Sequence, residues 1–248
     1  MINKKQKTDT AMNDYRINGF VDIHDVDYNG ILRTSSALKY MQNAAQEQLN
    51  SRGLSYDELK RQNRAFILSK VKLEIYKPLY AYQPYTATTY PCESRGYSFL
   101  RCHSLERDGE VIARAASVWA LIDTENRALV RVNDFELNLP LLPHNNVVPD
   151  LIRAPIDKLV SVGSFSVRYC DTDQNRHMKN TRYPDMYSEF LPLENRMIRS
   201  LTIHYTNEAP IGENMRVLRA ENDGVYYFRS IRADGKINTE AKLELVEI

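Results

Sequence analysis

The chain has 248 residues, of which 33 are Lys or Arg and 32 are Asp or Glu, so its formal charge is +1. That length allows one large domain or two small ones, each able to bury its own core. The charge balance argues against a strongly basic nucleic-acid binder and against an acidic disordered tail.

In chain order, the first ten residues, Met1 to Thr10, are basic but lack the apolar run of a secretory signal. No stretch approaches the ~18 apolar residues of a membrane helix, so no membrane insertion is expected. Tyr15, Ile17, Gly19, Val21 and Ile23 form an alternating segment that reads as a half-buried strand. The string Asp25-x-Asp27-x-Asn29-Gly30 imitates the opening of a calcium loop. Its twelfth position is Ser36 rather than Glu, and a strand precedes it where a helix is needed, so it reads as a tight Asx-rich turn. Leu38, Met41, Ala45 and Leu49 recur at helical spacing, with Thr34, Ser35 and Ser36 as candidate N-caps. A second, short helix is expected over Tyr56–Asn63.

Alternation then predicts a strand through Val71, Leu73 and Ile75. The run Tyr76, Tyr80, Tyr82, Tyr85 and Tyr90 reads as sheet packing. A hairpin is expected from Tyr97, Phe99, Arg101 and His103 through Asp108-Gly109 to Val111, Ala113, Ala115, Ser117 and Trp119. Pro140, Pro143, Pro149 and Pro155 break all periodicity and mark an extended connector. Beyond it, Phe165, Val167 and Tyr169 alternate. Tyr183, Met186, Tyr187 and Phe190 form a helical face, with Asn180 or Thr181 as cap, Pro184 in the first turn and Pro192 as stop. Leu201, Ile203 and Tyr205 alternate. Val225, Tyr227 and Arg229 lead through Asp234-Gly235 to Ile237, Thr239, Ala241, Leu243 and Leu245.

The chain therefore repeats itself. Asp25-x-Asp27-x-Asn29-x-Ile31 recurs as Asp171-x-Asp173-x-Asn175-x-His177 at an offset of 171 − 25 = 146. The two Asp-Gly pairs recur at 234 − 108 = 126, so the first half carries extra residues. The expected organisation is an N-terminal half over 1–133, a Pro-rich connector over 134–163 and a C-terminal half over 164–248. The fold class is α+β, each half an antiparallel sheet wrapped on a central helix. That is a tandem, or double, hotdog.

The two copies differ where chemistry would sit. His177 replaces Ile31, giving the second copy Asp173, Asn175 and His177 at alternate positions just before a helix. A general base, an orienting carboxylate and an amide donor suit hydrolysis of an ester or thioester, with helix N–H groups as further oxyanion donors. The cysteines Cys92, Cys102 and Cys170 are odd in number and scattered. They suggest neither a disulfide framework nor a metal pair, and a reducing, cytoplasmic setting is expected.

The longer string Asp173-x-Asn175-x-His177-x-x-Asn180-x-x-Tyr183 resembles the active-site motif of the acyl-acyl carrier protein thioesterases, and the Trp119 strand resembles theirs. The resemblance covers about residues 13–247. It implies that Asp173, Asn175 and His177 are catalytic. It also places a catalytic acid at Glu208, in Tyr205-Thr-Asn-Glu208-Ala209, followed by a position where the family has Cys and this chain has Ala209. Water activated by His177 or Glu208 is then the expected nucleophile, with Asp173 orienting His177 and Asn175 binding the oxyanion. The resemblance further implies that the first half houses the acyl chain. Candidate lining residues are Leu38, Met41, Ala45, Ile67, Val71, Leu73 and Trp119. The implied partner is acyl carrier protein with its phosphopantetheine-linked acyl chain, an acidic protein, for which Arg176, Lys179 and Arg182 form a candidate docking patch.

No cofactor, metal or nucleic acid is expected, and a homo-oligomer is left open. A coenzyme A thioesterase of the same fold, a hotdog dehydratase or hydratase and a non-catalytic acyl-binding protein are the alternatives. The dehydratase string His-Phe-Pro-Gly is absent.

Overall fold

The computed structural model describes residues 14–248. The reading of Met1 to Thr10 lies outside the described residues. The first half contains β1 (Tyr15–Phe20), α1 (Thr34–Ser51), α2 (Tyr56–Arg61), β2 (Arg64–Ile75), β3 (Pro84–Pro91), β4 (Phe99–Arg107), β5 (Glu110–Asp123) and the short β6 (Ala128–Val130). The second contains β7 (Val160–Ser166), α3 (Tyr183–Ser188), β8 (Arg196–Tyr205), β9 (Asn214–Asn222), β10 (Val225–Ile231) and β11 (Ile237–Glu247). Thus β7 begins at Val160, inside the stretch expected to be connector.

The strands form one antiparallel sheet in the order β1-β3-β4-β5-β2-β8-β11-β10-β9-β7, with β6 pairing β5. The order is palindromic: β1 answers β7, β3 answers β9, β4 answers β10, β5 answers β11 and β2 answers β8. The halves join where β2 pairs with β8, Lys70 opposite His204 and Glu74 opposite Ser200. One face of each half closes on its helix. Leu38 and Met41 from α1, and Met186 and Tyr187 from α3, share one apolar core with Leu73, Leu201, Ile203 and Phe228. Each such side chain contributes about 1.5–3 kcal/mol on full burial.

Local chemistry explains the departures from the sequence reading. The alternation expected to run to Ile23 and to Tyr169 stops at Phe20 and Ser166. Both stretches leave the sheet for a 3-10 turn, with Val21 and Val167 buried but Ile23 and Tyr169 exposed. The residue capping α1 is Arg33, with no side-chain cap bond; Ser36 instead donates to Asp25 at 3.1 Å. The second central helix is only six residues long, and Phe190 lies beyond its end. Asn180 to Arg182 precede it as a 3-10 turn rather than a cap. Asp108 and Gly109 both adopt positive φ (52° and 80°), as a type I′ hairpin requires. In Asp234-Gly235 only the glycine does, and the second such turn is Asp223-Gly224 between β9 and β10. Cys92 and Cys102 are less scattered than their spacing suggests, being free, buried thiols with sulfurs 3.2 Å apart.

Beneath α1 the core carries a polar network. Arg101 donates to Gln48 at 2.5 Å and to Thr89 at 3.2 Å. His103 Nε2 lies 3.0 Å from Ser117 Oγ, which also accepts from Trp119 Nε1 at 2.8 Å. Burial, reinforced by the Arg101 charge, pushes the His103 imidazole down to about 3. The unfolded chain therefore takes up a proton below pH ~6.5 that the folded chain refuses until pH ~3. Stability should fall through that window by about 1.4 kcal/mol per pH unit. Denaturant midpoints between pH 7.5 and 4.5 should drop more steeply for the natural chain than for His103→Gln. Parallel slopes would show that His103 is not held neutral.

Candidate active site

The diverged loops share one backbone design. In the first copy Asp27 N–H donates to Ile31 O at 2.8 Å, and Gly30 N–H to Asp27 O at 3.0 Å. In the second, Asp173 N–H donates to His177 O at 2.9 Å, and Arg176 N–H to Asp173 O at 3.0 Å. The aspartate carboxylates do the same work: Asp27 accepts from Asn29 and Ile31 N–H at 2.8 and 3.1 Å, Asp173 from Asn175 and His177 N–H at 2.8 and 3.3 Å. These are Asx turns. Arg176 takes the left-handed conformation (φ 63°) that Gly30 adopts in the first copy (φ 74°). Asp173, Asn175 and His177 thus lie on an Asx-rich turn of the kind expected for the first copy. Asp173 holds the loop backbone, and no bond from it to the His177 ring is found.

The partner of that ring is Glu208. His177 Nδ1 lies 3.3 Å from Glu208 Oε2. The two segments are stitched together by the His177–Pro210 bridge and by Met178 N–H donating to Ala209 O at 2.8 Å. The matching pairing in the first copy is Ile31–Tyr80, with Leu32 N–H donating to Leu79 O at 2.7 Å. Register therefore sets Pro78 opposite Glu208 as Ile31 stands opposite His177, so the first copy lacks both members of the pair. Ala209 is 1 % exposed and does not line the cavity that Glu208 enters. The side chain at 209 sits behind the reacting face.

Two cavities meet at this point. The more polar one, of about 510 Å³, holds Asp173, Asn175, His177 and Glu208, with Ile67 and Trp119 in its wall. An apolar one of about 200 Å³ lies under α1, lined by Ala45, Leu49, Leu59, Phe99 and Trp119. Phe66, Trp119 and Asn175 belong to both. Of the residues expected to line an acyl tunnel, Ala45 and Trp119 face the apolar cavity and Ile67 faces the polar one. Leu38, Met41, Val71 and Leu73 are packed in the core, each at most 2 % exposed, and line neither. Helical and strand periodicity put all of them on inward faces, but only neighbours decide which inward side chains border empty space.

The expected basic cluster divides. Arg176 and Lys179 are exposed, with no ion pair among the described residues. Arg182 is committed to buried Asp171 at 3.1 Å and to Asp185 at 2.5 Å, and it lines a separate cavity beside the first copy's loop. Its charge is thus shared with two carboxylates, unlike those of Arg176 and Lys179. Tyr183 and Tyr205 pack edge to face at 5.4 Å beneath the site, and Tyr205 OH donates to Asn180 O at 3.0 Å. His204 faces away, its Nε2 2.8 Å from Asp150 O of the connector. Sequence reasoning missed Tyr56, whose hydroxyl donates to Asn175 Oδ1 at 2.7 Å. Its place behind Ser55, which caps α2, carries no motif signal. Among the described residues no His, Cys, Asp and Glu cluster is arranged to hold a metal.

Sheet, helices and a His–Glu pair present in one copy only define a tandem hotdog protein with a single candidate site. The family models for the acyl-ACP thioesterase N-terminal and C-terminal domains match residues 12–138 and 157–246, and the chain belongs to that family. It is 32 % identical over 112 residues to the chloroplast acyl-[acyl-carrier-protein] hydrolase FATB1 of Cuphea viscosissima, covering 40 % of this chain and 26 % of that protein. It is 22 % identical over 217 residues to FATB2 of the same plant, covering 78 % of this chain and 52 % of that one. The chain thus spans between about a quarter and a half of these relatives' length. Its fold matches an acyl-ACP thioesterase of Bacteroides thetaiotaomicron with a TM-score of 0.86 at 20 % identity, over 94 % and 98 % of the two chains. It matches the 12:0-ACP thioesterase of Umbellularia californica with a TM-score of 0.82 at 15 % identity, over 97 % and 100 %.

The paired Asx turns have separable consequences. Asp27→Ala and Asp173→Ala should each lose about 1–2 kcal/mol of stability, since each removes a carboxylate that accepts from two backbone N–H groups. Only Asp173→Ala should lower thioester hydrolysis per folded molecule. Denaturant unfolding and initial rates measure both, and equal rates in the two variants would dismiss the loop's role in holding His177.

Proposed function

We propose that this chain hydrolyses the thioester of fatty acyl groups carried on acyl carrier protein and releases free fatty acid. The observation that carries the reading is the His177 Nδ1–Glu208 Oε2 contact, at the junction of a polar and an apolar cavity, in a chain of this family. The acyl chain enters the apolar cavity past Trp119, and the thioester rests beside Asn175. Glu208 holds the Nδ1–H of the imidazole, which leaves Nε2 to take a proton from water. The hydroxide so formed attacks the carbonyl carbon. Asn175 donates its side-chain N–H to the oxygen as it becomes an oxyanion. Collapse breaks the C–S bond, and the departing thiolate takes the proton back from His177. The helix start expected to add donors is a 3-10 turn leading into six helical residues, so Asn175 is the donor assigned here.

Arg176 and Lys179, exposed beside the site, suit an acidic carrier. A buried Ala at 209 leaves water as the nucleophile.

A panel of carrier-linked and coenzyme A-linked acyl thioesters of several lengths, with released acids identified, tests the reading. Hydrolysis should favour the carrier-linked series, and His177→Ala and Glu208→Ala should each lower kcat at least about 100-fold. Undiminished rates in both folded variants would refute it. Ala45→Trp, which fills the apolar cavity, should shift product towards shorter acids. An unchanged product profile in stable Ala45→Trp would place the acyl chain elsewhere.

A further inference from the structure

The two copies treat their equivalent asparagines in opposite ways. In the copy without His and Glu, Asn29 Nδ2 is consumed: it donates to Leu193 O at 3.0 Å and to Arg196 O at 3.4 Å. In the copy with the site, Asn175 is held by its other end. Tyr56 OH donates to Oδ1 at 2.7 Å, and Asn175 Nδ2 has no partner among the described residues. A side-chain amide can flip, and an unheld Asn can present either its oxygen or its nitrogen to the carbonyl. Only the nitrogen stabilises an oxyanion.

We propose that Tyr56 is a positioning residue for the reaction: its hydroxyl pins the Asn175 amide with Nδ2 turned to the thioester carbonyl. The inference rests on Asn175 as the oxyanion donor. Tyr56 stands on α2 of the first half, one residue after the Ser55 that fixes the start of that helix by accepting from Glu58 N–H at 3.2 Å. It borders the apolar cavity and its ring reaches Asn175 across the boundary between the halves. The first half therefore supplies part of the reaction geometry as well as the space for the chain. The short α2 segment is also part of the extra length that makes the first half longer than the second.

Tyr56→Phe keeps the ring and removes only the hydroxyl. It should lower kcat about tenfold or more while KM stays within about twofold, because the donor is lost from the oxyanion rather than from ground-state binding. In an Asn175→Ala background the same substitution should change nothing further. The Asn175 side-chain amide resonances, assigned by their loss in Asn175→Ala, should move in Tyr56→Phe. A kcat within twofold of the natural chain, an equal loss in both backgrounds, or unmoved resonances would overturn the proposal. If His177→Ala proved as active as the natural chain, the functional reading would fail, while the amide resonances would still decide whether Tyr56 holds Asn175.

Discussion

The antiparallel pairing of β2 with β8 is the constraint on which the rest of the molecule depends. It joins two wrapped half-sheets into one and relates them by a pseudo-twofold, so whatever leaves the end of β8 arrives beside the start of β2. The chain leaving β8 carries Glu208, and the opening of β2 carries Phe66 and Ile67, with Trp119 on the neighbouring strand β5. A polar pocket and an apolar one therefore meet by topology. Residues of both halves line the cavity around His177 and Glu208.

The twofold also creates a second position of the same kind, and the sequence empties it of chemistry. Ile31 and Pro78 replace His177 and Glu208, Gly30 relaxes the turn that Arg176 holds in a left-handed conformation, and Asn29 spends its donors on backbone carbonyls. What survives in both copies is the Asx turn built by Asp27 and Asp173. A feature kept where there is no chemistry serves the backbone. That comparison moves Asp173 from the His177 ring to the loop beneath it and leaves Glu208 as the ring's carboxylate partner.

Much of this was legible in the amino-acid order, for physical reasons. Alternation marks strands faithfully when one face is buried, so β2, β5, β8 and β11 could be read. The repeat of Asp-x-Asp-x-Asn located both loops, and the single His separated them. Other features depend on tertiary neighbours. The alternation ran past the sheet because Val21 and Val167 are buried just beyond the last strand residue, while Ile23 and Tyr169, next in the pattern, sit exposed in 3-10 turns. Arg182 could not be separated from Arg176 and Lys179 without seeing Asp171 and Asp185 beside it. Leu38 and Ala45 share one helix face, yet only Ala45 borders a cavity. Tyr56 meets Asn175 across 119 positions, a separation no local pattern reports.

The central claim is that water, activated by the His177–Glu208 pair, attacks the thioester directly. A single turnover of acyl-carrier substrate in ¹⁸O-water, with enzyme in excess, tests it most directly, because attack by the Glu208 carboxylate would instead pass through an anhydride. Direct attack predicts one ¹⁸O in the released acid on the first turnover and no label in the peptide containing Glu208. An unlabelled first-turnover acid, with ¹⁸O found in that peptide, would contradict the account.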